Sequence, residues 1–201
     1  MGSVTRHDDI RAKALADLQR YEVLMLDGHF DFGNGYHGRV YLNPHQLFRQ
    51  PSTIWRFTQD LIDVLPGSIL EATEVVAGPA TGGALLAHTI AGLLDSRRDI
   101  TRPPTLFAPL TGDSSGNYSL SRFYQQQVKG RSVLLVDDVR NTGHTLSRCA
   151  KRCAGGVQST GELSCWCVSA LRRRHAGDNV LRSGGVPSTV LSPGKTRLYR
   201  I

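Results

Sequence analysis

The sequence predicts an α/β domain: an open parallel sheet with helices on both faces, preceded by a small N-terminal hood. From residue 74 onward, short apolar segments typical of buried strands alternate with longer segments of helical periodicity. Two of these strands lead into glycine-containing loops that open a helix. The chain has 201 residues, which suits one domain, and residues 1–45 are expected to supply the first helix and the hood.

Composition excludes membrane and secreted classes. Hydrophobic residues make up 40% of the chain and charged residues 20%, as in ordinary soluble enzymes. The sequence has no run of about 20 apolar residues that would span a membrane. Its first nine residues are polar and lack the apolar centre of a secretory signal. We therefore expect a cytoplasmic protein without a membrane partner.

The formal net charge of +7 raises the question of an anionic partner. The basic residues are scattered, apart from a run at residues 172–175. No aromatic residues interleave with that run, as binding to single-stranded nucleic acid would require. We therefore expect no nucleic-acid partner, because a small polyphosphate ligand explains the charge equally well.

The four cysteines do not have the spacing of a zinc site. Cys149 and Cys153 are one helical turn apart, and Cys165 and Cys167 flank a tryptophan. Neither pair matches the Cys-x-x-Cys spacing that zinc sites prefer. We interpret all four as core thiols in a reducing compartment.

The N-terminal part predicts a helix, a hairpin and a second helix. Ile10–Tyr21 has apolar residues along one helical face. Gly28–His37 is rich in glycine with alternating aromatics, which is typical of a turn or short hairpin before a strand around Tyr41. Pro51 suits a first helical turn, so Ser52–Leu65 is predicted as the second helix.

The remaining elements follow the order strand, loop, helix. The predicted strands are Glu74–Ala77, Thr105–Leu110, Ser132–Val136 and Leu163–Ala170, and the predicted helices are Ala84–Leu94 and Leu146–Ala154. Tyr118–Tyr124 is predicted as the returning arm of a hairpin. The alternation implies parallel strands joined by helical crossovers.

The strongest candidate site follows the strand that ends at Val136. Asp137 and Asp138 come next, and residues 140–145 form a loop with Thr and Gly that opens a helix. Backbone N–H groups at a helix start bind phosphate. Because carboxylates repel phosphate, the two acids indicate a ligand that also offers hydroxyls or Mg²⁺. A phosphorylated sugar meets both requirements.

Residues 133–145 resemble the phosphoribosyl pyrophosphate signature of the type I phosphoribosyltransferase family. The resemblance implies that Asp137 and Asp138 hold the ribose and, directly or indirectly, the cofactor Mg²⁺. It also implies that the 5-phosphate lies on Arg140, Asn141, Thr142, Gly143, His144 and Thr145. The same pattern occurs in ordinary strand–Asp-Asp–loop segments, such as those of receiver domains.

A second segment, residues 75–87, resembles the family's pyrophosphate loop. The resemblance implies that four residues hold the diphosphate: Ala80, Thr81, Gly82 and Gly83. Glycine lets the backbone approach such an anion closely. The segment lacks the Lys-Ser/Thr ending of a Walker A loop and does not match Gly-x-Gly-x-x-Gly.

Two further segments resemble the orotate branch of the family. Residues 28–43 are similar to its hood, which implies that Tyr41 lies against the base. Residues 168–173 are similar to a strand whose final arginine meets the orotate carboxylate, so Arg173 is the candidate for that bidentate pair. A solvated basic run is the alternative for Arg173. Family membership also implies a homodimer.

The chain departs from this family in the segment that would close over the ligand. Residues 110–120 contain no Lys, Arg or His, whereas the active orotate enzymes carry such cations there. One preorganised donor to a developing negative charge is worth ~3–4 kcal/mol. His37, Arg39, Arg102 and Arg122 are the candidates to replace the missing charge.

These observations predict a Mg²⁺-dependent enzyme that moves ribose 5-phosphate from phosphoribosyl pyrophosphate to a nucleobase. Orotate is the first expectation for the base. Two alternatives remain open: a regulatory module that binds phosphoribosyl pyrophosphate or a nucleotide with little catalysis, and a transferase for another base. The cation-free segment favours the regulatory module.

Overall fold

The computed structural model describes residues 9, 12–13, 15–31, 37–140, 143–154, 165–172, 189–191 and 196–200. The helices are α1 (residues 15–20), α2 (His45–Phe48), α3 (Pro51–Val64), α4 (Gly67–Ala72), α5 (Gly82–Arg97), α6 (Arg122–Val128) and α7 (His144–Ala154). The strands are β1 (Leu24–Met25), β2 (Phe30–Asp31), β3 (His37–Gly38), β4 (Tyr41–Leu42), β5 (Val75–Pro79), β6 (Leu106–Gly112), β7 (Tyr118–Ser119), β8 (Val133–Arg140), β9 (Cys165–Arg172), β10 (Thr189–Leu191) and β11 (Thr196–Arg200).

Within these ranges, seven strands form the main sheet in the order β10-β11-β9-β8-β5-β6-β7. The five inner strands are parallel. The edge strands β7 and β10 run antiparallel to their neighbours, so the whole sheet is mixed. A short turn joins β6 to β7, and such a connection permits only antiparallel pairing. The predicted α/β class with a parallel sheet flanked by helices is therefore confirmed, with antiparallel strands added at both edges.

The core consists of two apolar layers, one on each face of the sheet. Leu134 and Val136 of β8 pack on one face with α3 and α5. Val133 and Leu135 pack on the other face with α6 and α7. A strand that is buried on both faces has apolar residues at successive positions, which explains why β8 was identifiable in the sequence. Cys149 and Cys153 are 0% and 1% exposed, which confirms the prediction of core thiols for these two.

The prediction of a strand over Tyr118–Tyr124 is wrong beyond Ser119. Only Tyr118–Ser119 pairs with β6, and the chain then enters α6. Leu120, Tyr124 and Val128 recur every four residues and pack into one apolar cluster. That spacing is the helical period, and it determines the structure there.

The hood consists of two small antiparallel pairs, β1 with β4 and β2 with β3. Leu18, Val23, Leu24 and Leu47 form its own apolar cluster. Phe57 of α3 packs against this cluster, so the hood is anchored to the main domain through α3. No helix in the described part of the chain is both long enough and apolar enough to cross a membrane.

Arg98, which follows α5, fastens the end of α4 to the sheet. Its Nη2 donates to the carbonyl oxygens of Leu70 and Thr73, and its Nη1 donates to Thr105 Oγ1 at 2.7 Å. Carbonyls at the end of a helix have no partner within the helix. Arg98→Met is therefore expected to lower the free energy of unfolding by about 2 kcal/mol, measured by urea denaturation.

The matched control is Arg97→Met on the same turn. Arg97 pairs with Asp63 at 2.8 Å, and its side chain is 40% exposed. Surface ion pairs of this kind contribute less than about 1 kcal/mol. Equal losses for the two variants would contradict the anchoring role of Arg98.

Candidate active site

Asp137 and Asp138 lie inside β8, at the end that forms the carboxyl edge of the parallel sheet. The sequence predicted that the strand would stop at Val136, but pairing with β9 continues to Arg140. The Asp138 amide donates to Asp137 Oδ1 at 3.0 Å, and the Val139 amide donates to Asp138 Oδ1 at 2.8 Å. Ligands of open α/β sheets bind at this edge, so both carboxylates are held where a ligand would bind.

The two carboxyl groups differ in environment. Asp137 is 6% exposed, whereas Asp138 is half-buried. Burial, followed by the negative charge of Asp138, raises the pKa of Asp137 to about 8. Without a bound cation, Asp137 is therefore mostly protonated at neutral pH. A neutral acid beside a carboxylate offers a hydrogen-bond donor next to an acceptor, which suits a ligand with vicinal hydroxyls.

The predicted diphosphate loop connects β5 to α5. The Ala80 amide donates to Leu110 O at 2.8 Å, which ties the loop to β6. The peptide bond between Ala80 and Thr81 is cis. α5 begins at Gly82, and Gly82 and Gly83 are both buried. The first N–H groups of a helix have no acceptor within it, so this turn supplies donors and a partial positive charge for an anion.

The two predicted motifs meet at Asp138 and Gly82. A Cβ placed on Gly82 would lie 2.0 Å from Asp138 Oδ2 and 2.8 Å from Phe48 Cε2. The Asp138 carboxylate therefore lies directly against the first residue of α5, and only glycine leaves room for it. Because the two residues are distant in sequence, the fold alone creates this contact.

The predicted phosphate loop is described from Gly143 onward. Gly143 has a φ of +85°, in the left-handed region that favours glycine. The Ser147 amide donates to Gly143 O at 3.0 Å and forms part of the first turn of α7. His144 is exposed and Thr145 is half-buried at this helix start. This turn lies at the carboxyl edge of the sheet, and its role as an anion site stays a prediction.

Several predicted site residues lie outside the described residues. They are Asn141, Thr142 and Arg173. The backbone of Arg140 pairs with that of Arg172 at the carboxyl ends of β8 and β9. The roles of these residues remain predictions.

Tyr41 lies in the hood, where its ring stacks on Phe30 at a centroid distance of 5.6 Å. Asp138 lines a small cavity together with Leu47 of the hood's apolar cluster and Phe57, which packs against that cluster. The other lining residues are Pro44, Phe48, Ile54 and Leu86. Phe48 is the residue that the sequence did not reveal, because its only signal was an apolar side chain at the end of a four-residue helix.

Three of the four candidates for a replacement cation, His37, Arg39 and Arg102, contact other residues. Arg102 follows α5, at the amino edge of the sheet, and donates to Glu71 O at 3.0 Å. Arg39 pairs with Asp27 at 3.2 Å in the hood. His37 Nδ1 lies 2.9 Å from His29 Nε2. Arg102 is therefore at the wrong edge of the sheet to act on a ligand beside Asp138.

The acidic pair is the candidate for holding a metal ion. The described ranges contain no group of three or more His, Cys, Asp or Glu side chains that is placed to hold a metal ion by itself. A metal at the carboxyl edge would need ligand oxygens or water in addition to the two aspartates.

A family model for the phosphoribosyl transferase domain matches residues 54–155, a range that contains both predicted motifs. The orotate phosphoribosyltransferase of Desulforamulus reducens is 30% identical over 142 residues, which are 69% of this chain and 67% of that protein. The orotate phosphoribosyltransferase of Sphingopyxis alaskensis is 29% identical over 168 residues, which are 83% of this chain and 76% of that protein.

Solved structures show the same fold. Orotate phosphoribosyltransferase from Aeropyrum pernix aligns with a TM-score of 0.61 at 18% identity, over 92% of this chain and 90% of that one. Adenine phosphoribosyltransferase from Thermoanaerobacter pseudethanolicus aligns with a TM-score of 0.54 at 16% identity, over 79% of this chain and 87% of that one. Structures named for two different bases share the fold, so the fold by itself does not select a base. The matched domain, the acidic pair on β8 and the glycine loop of α5 together place this chain in the phosphoribosyltransferase family of enzymes.

Proposed function

We propose that this protein transfers ribose 5-phosphate from phosphoribosyl pyrophosphate to orotate, with orotidine 5′-phosphate and diphosphate as products. The observation that carries the proposal is the contact of the Asp138 carboxylate with the first residue of α5. It puts a hydroxyl-binding acid beside a helix N-terminus that attracts anions, as a phosphorylated ribose requires. The names of the two sequence relatives support orotate as the base.

The proposed roles follow from the position of each element. The ribose hydroxyls bind between Asp137 and Asp138. The 5-phosphate lies at the start of α7, and the diphosphate lies on the backbone N–H groups at the start of α5. As the bond from ribose C1 to the diphosphate oxygen breaks and the bond to the base nitrogen forms, negative charge grows on the diphosphate. The α5 N-terminus stabilises that charge where it develops.

Mg²⁺ is part of this proposal. Two adjacent carboxyl groups at the entrance of a phosphate site fit a hard cation that takes its other ligands from water and phosphate oxygens. Asp137 and Asp138 would hold the ion directly or through water. When bound, it would neutralise charge on the diphosphate and favour ionisation of Asp137.

Recognition of the base rests on the resemblance to the orotate branch. We propose that Tyr41 lies along one face of the pyrimidine and that Arg173 pairs with the orotate carboxylate. The same resemblance supports a homodimer.

A steady-state assay tests the proposal. Phosphoribosyl pyrophosphate, Mg²⁺ and orotate are mixed with the protein, and the fall of orotate absorbance is followed. Asp138→Asn is expected to lower kcat/KM about a hundredfold or more, because the variant loses the carboxylate beside the ribose and the α5 N-terminus. Asp63→Asn is the control, since Asp63 pairs with Arg97 on the surface. Wild-type turnover by Asp138→Asn would contradict the proposed site, and turnover only with another base would reject orotate.

A second candidate, a regulatory module that binds phosphoribosyl pyrophosphate, is favoured by residues 110–120. This segment contains no Lys, Arg or His, and Asp113 adds a negative charge. Calorimetric binding of phosphoribosyl pyrophosphate without turnover, lost in Asp138→Asn, would establish this candidate in place of the enzyme.

A further inference from the structure

The cation-free segment, residues 110–120, folds as a hairpin that is closed by its own side chains. The Asp113 carboxylate accepts from the amides of Ser115 at 2.9 Å and Asn117 at 2.8 Å, and from Asn117 Nδ2 at 3.2 Å. These donors, the Asn117 amide first, hold the pKa of Asp113 below its usual value. The Gly116 amide donates to Asp113 O at 3.0 Å, and the φ of Gly116 is +74°. The tip is therefore a built turn that needs no ligand to form.

The base of the hairpin belongs to the core of the domain. Thr111 and Gly112 pair with Ser119 and Tyr118. Leu120 is 4% exposed in the apolar cluster that contains Leu146 of α7, and Tyr118 packs against that cluster. The hairpin is thus held at its base by strand pairing and by apolar contacts.

The tip is fastened to α7 by Arg148. Its Nη1 donates to Gly116 O at 2.6 Å. A Cβ on Gly116 would lie 2.5 Å from the same nitrogen, so the guanidinium fits closely against the glycine backbone. A charged donor to a carbonyl makes a stronger hydrogen bond than a neutral one.

Arg148 also lies close to the predicted phosphate loop. It follows His144, the first residue of α7, by four positions, so both residues lie on one face of the helix. The predicted phosphate loop therefore leads into the first turn of α7, and Arg148, one turn further along, holds the hairpin tip.

We infer that Arg148 is a positioning residue that fixes this hairpin against α7 before any ligand binds. Residues 110–120 then line one side of the ligand site in a fixed conformation and do not fold over the ligand. The identity of that ligand as phosphoribosyl pyrophosphate rests on the proposed function, whereas the fastening of the hairpin does not.

Amide hydrogen exchange of the unliganded protein tests the fastening. In the wild type, the amides of residues 113–119 are expected to exchange far more slowly than those of a free peptide. Arg148→Ala is expected to speed their exchange about tenfold, since it removes one charge-assisted hydrogen bond. Arg148→Lys is expected to restore only part of the protection, because lysine lacks the planar fork of donors. Arg152→Ala is the matched control, because it removes the same charge from an exposed position one turn further along α7.

Either of two results would overturn the inference. One is exchange at free-peptide rates in the wild type, with protection only after phosphoribosyl pyrophosphate is added. The other is an equal effect of Arg148→Ala and Arg152→Ala. In the turnover assay, Arg148→Ala is expected to raise the KM for phosphoribosyl pyrophosphate severalfold while kcat stays within about twofold. A fall in kcat at constant KM would also overturn the role in positioning. If the wild type shows no turnover, the proposed enzymatic function fails, while the exchange result still decides the fastening.

Discussion

Replacing Gly78 with alanine is expected to lower the free energy of unfolding by about 3 kcal/mol. Gly78 lies in β5, and a Cβ there would stand 2.2 Å from Gly83 O and 2.8 Å from Val136 O. Both atoms belong to backbone, so no side-chain rotation relieves the clash. The start of α5 would have to move away from the sheet, and Gly82 would then separate from Asp138. We expect binding of phosphoribosyl pyrophosphate to be lost together with stability.

Gly92→Ala is the matched control for this prediction. Gly92 lies on the exposed side of α5, away from both helix ends. Apart from the neighbouring backbone of the helix itself, no atom lies within 4 Å of the position of its Cβ. Alanine there is expected to stabilise the protein by about 0.5–1 kcal/mol, because glycine is a poor helix former. Urea denaturation of both variants gives the comparison. Equal stability of Gly78→Ala and the wild type would show that β5 and α5 leave room for a methyl group at residue 78.

Asp137→Asn is expected to raise stability at pH 8 and to lower turnover about a hundredfold or more. The pKa of the Asp137 carboxyl in the folded protein is about 8, compared with 3.8 for the unperturbed group. Between these values the unfolded chain releases the proton while the folded protein retains it. Stability therefore falls as the pH rises from about 4 to about 8, by at most about 1.4 kcal/mol per pH unit for this group. Below pH 4 the Asp137 carboxyl is protonated in both the folded and the unfolded state, so it no longer lowers stability.

The amide of asparagine resembles the neutral acid and carries no charge at any pH. Its oxygen can still accept the bond from the Asp138 amide, so the local geometry is retained. The difference in unfolding free energy between the variant and the wild type should therefore grow with pH, as measured by urea denaturation with a chelator present. Turnover should fall about a hundredfold or more, because the ionisable group at the proposed ribose site is gone.

Asp113→Asn is the control, because the pKa of Asp113 is shifted in the opposite direction to that of Asp137. Hydrogen bonds from the Asn117 amide and its neighbours lower the pKa of Asp113. Its contribution to stability is therefore present at neutral pH and is lost as the pH falls through the lowered pKa. If Asp137→Asn is less stable than the wild type at pH 8, the prediction that burial of the Asp137 carboxyl lowers stability at that pH is wrong.

Much of the site was predictable from local patterns. The apolar run that precedes Asp137 identified β8, because a strand covered on both faces carries no polar positions. The glycine loop and the helical segment after it identified α5, although the helix begins at Gly82, two residues before the predicted start at Ala84. By contrast, the extension of β8 to Arg140 depends on pairing with β9. The hairpin arm predicted over Tyr118–Tyr124 ends at Ser119, and α6 begins at Arg122.

The sequence by itself determined the α/β class, the two loops that resemble those of phosphoribosyltransferases, and the absence of cations from residues 110–120. These features are local, since each depends on residue types and spacings within a few positions. Only the tertiary structure decided that Asp138 touches Gly82, that Asp137 is buried enough to retain its proton, and that Arg148 holds Gly116. The physical reason is that contact distance and burial depend on how distant segments pack, and no spacing along the chain encodes them.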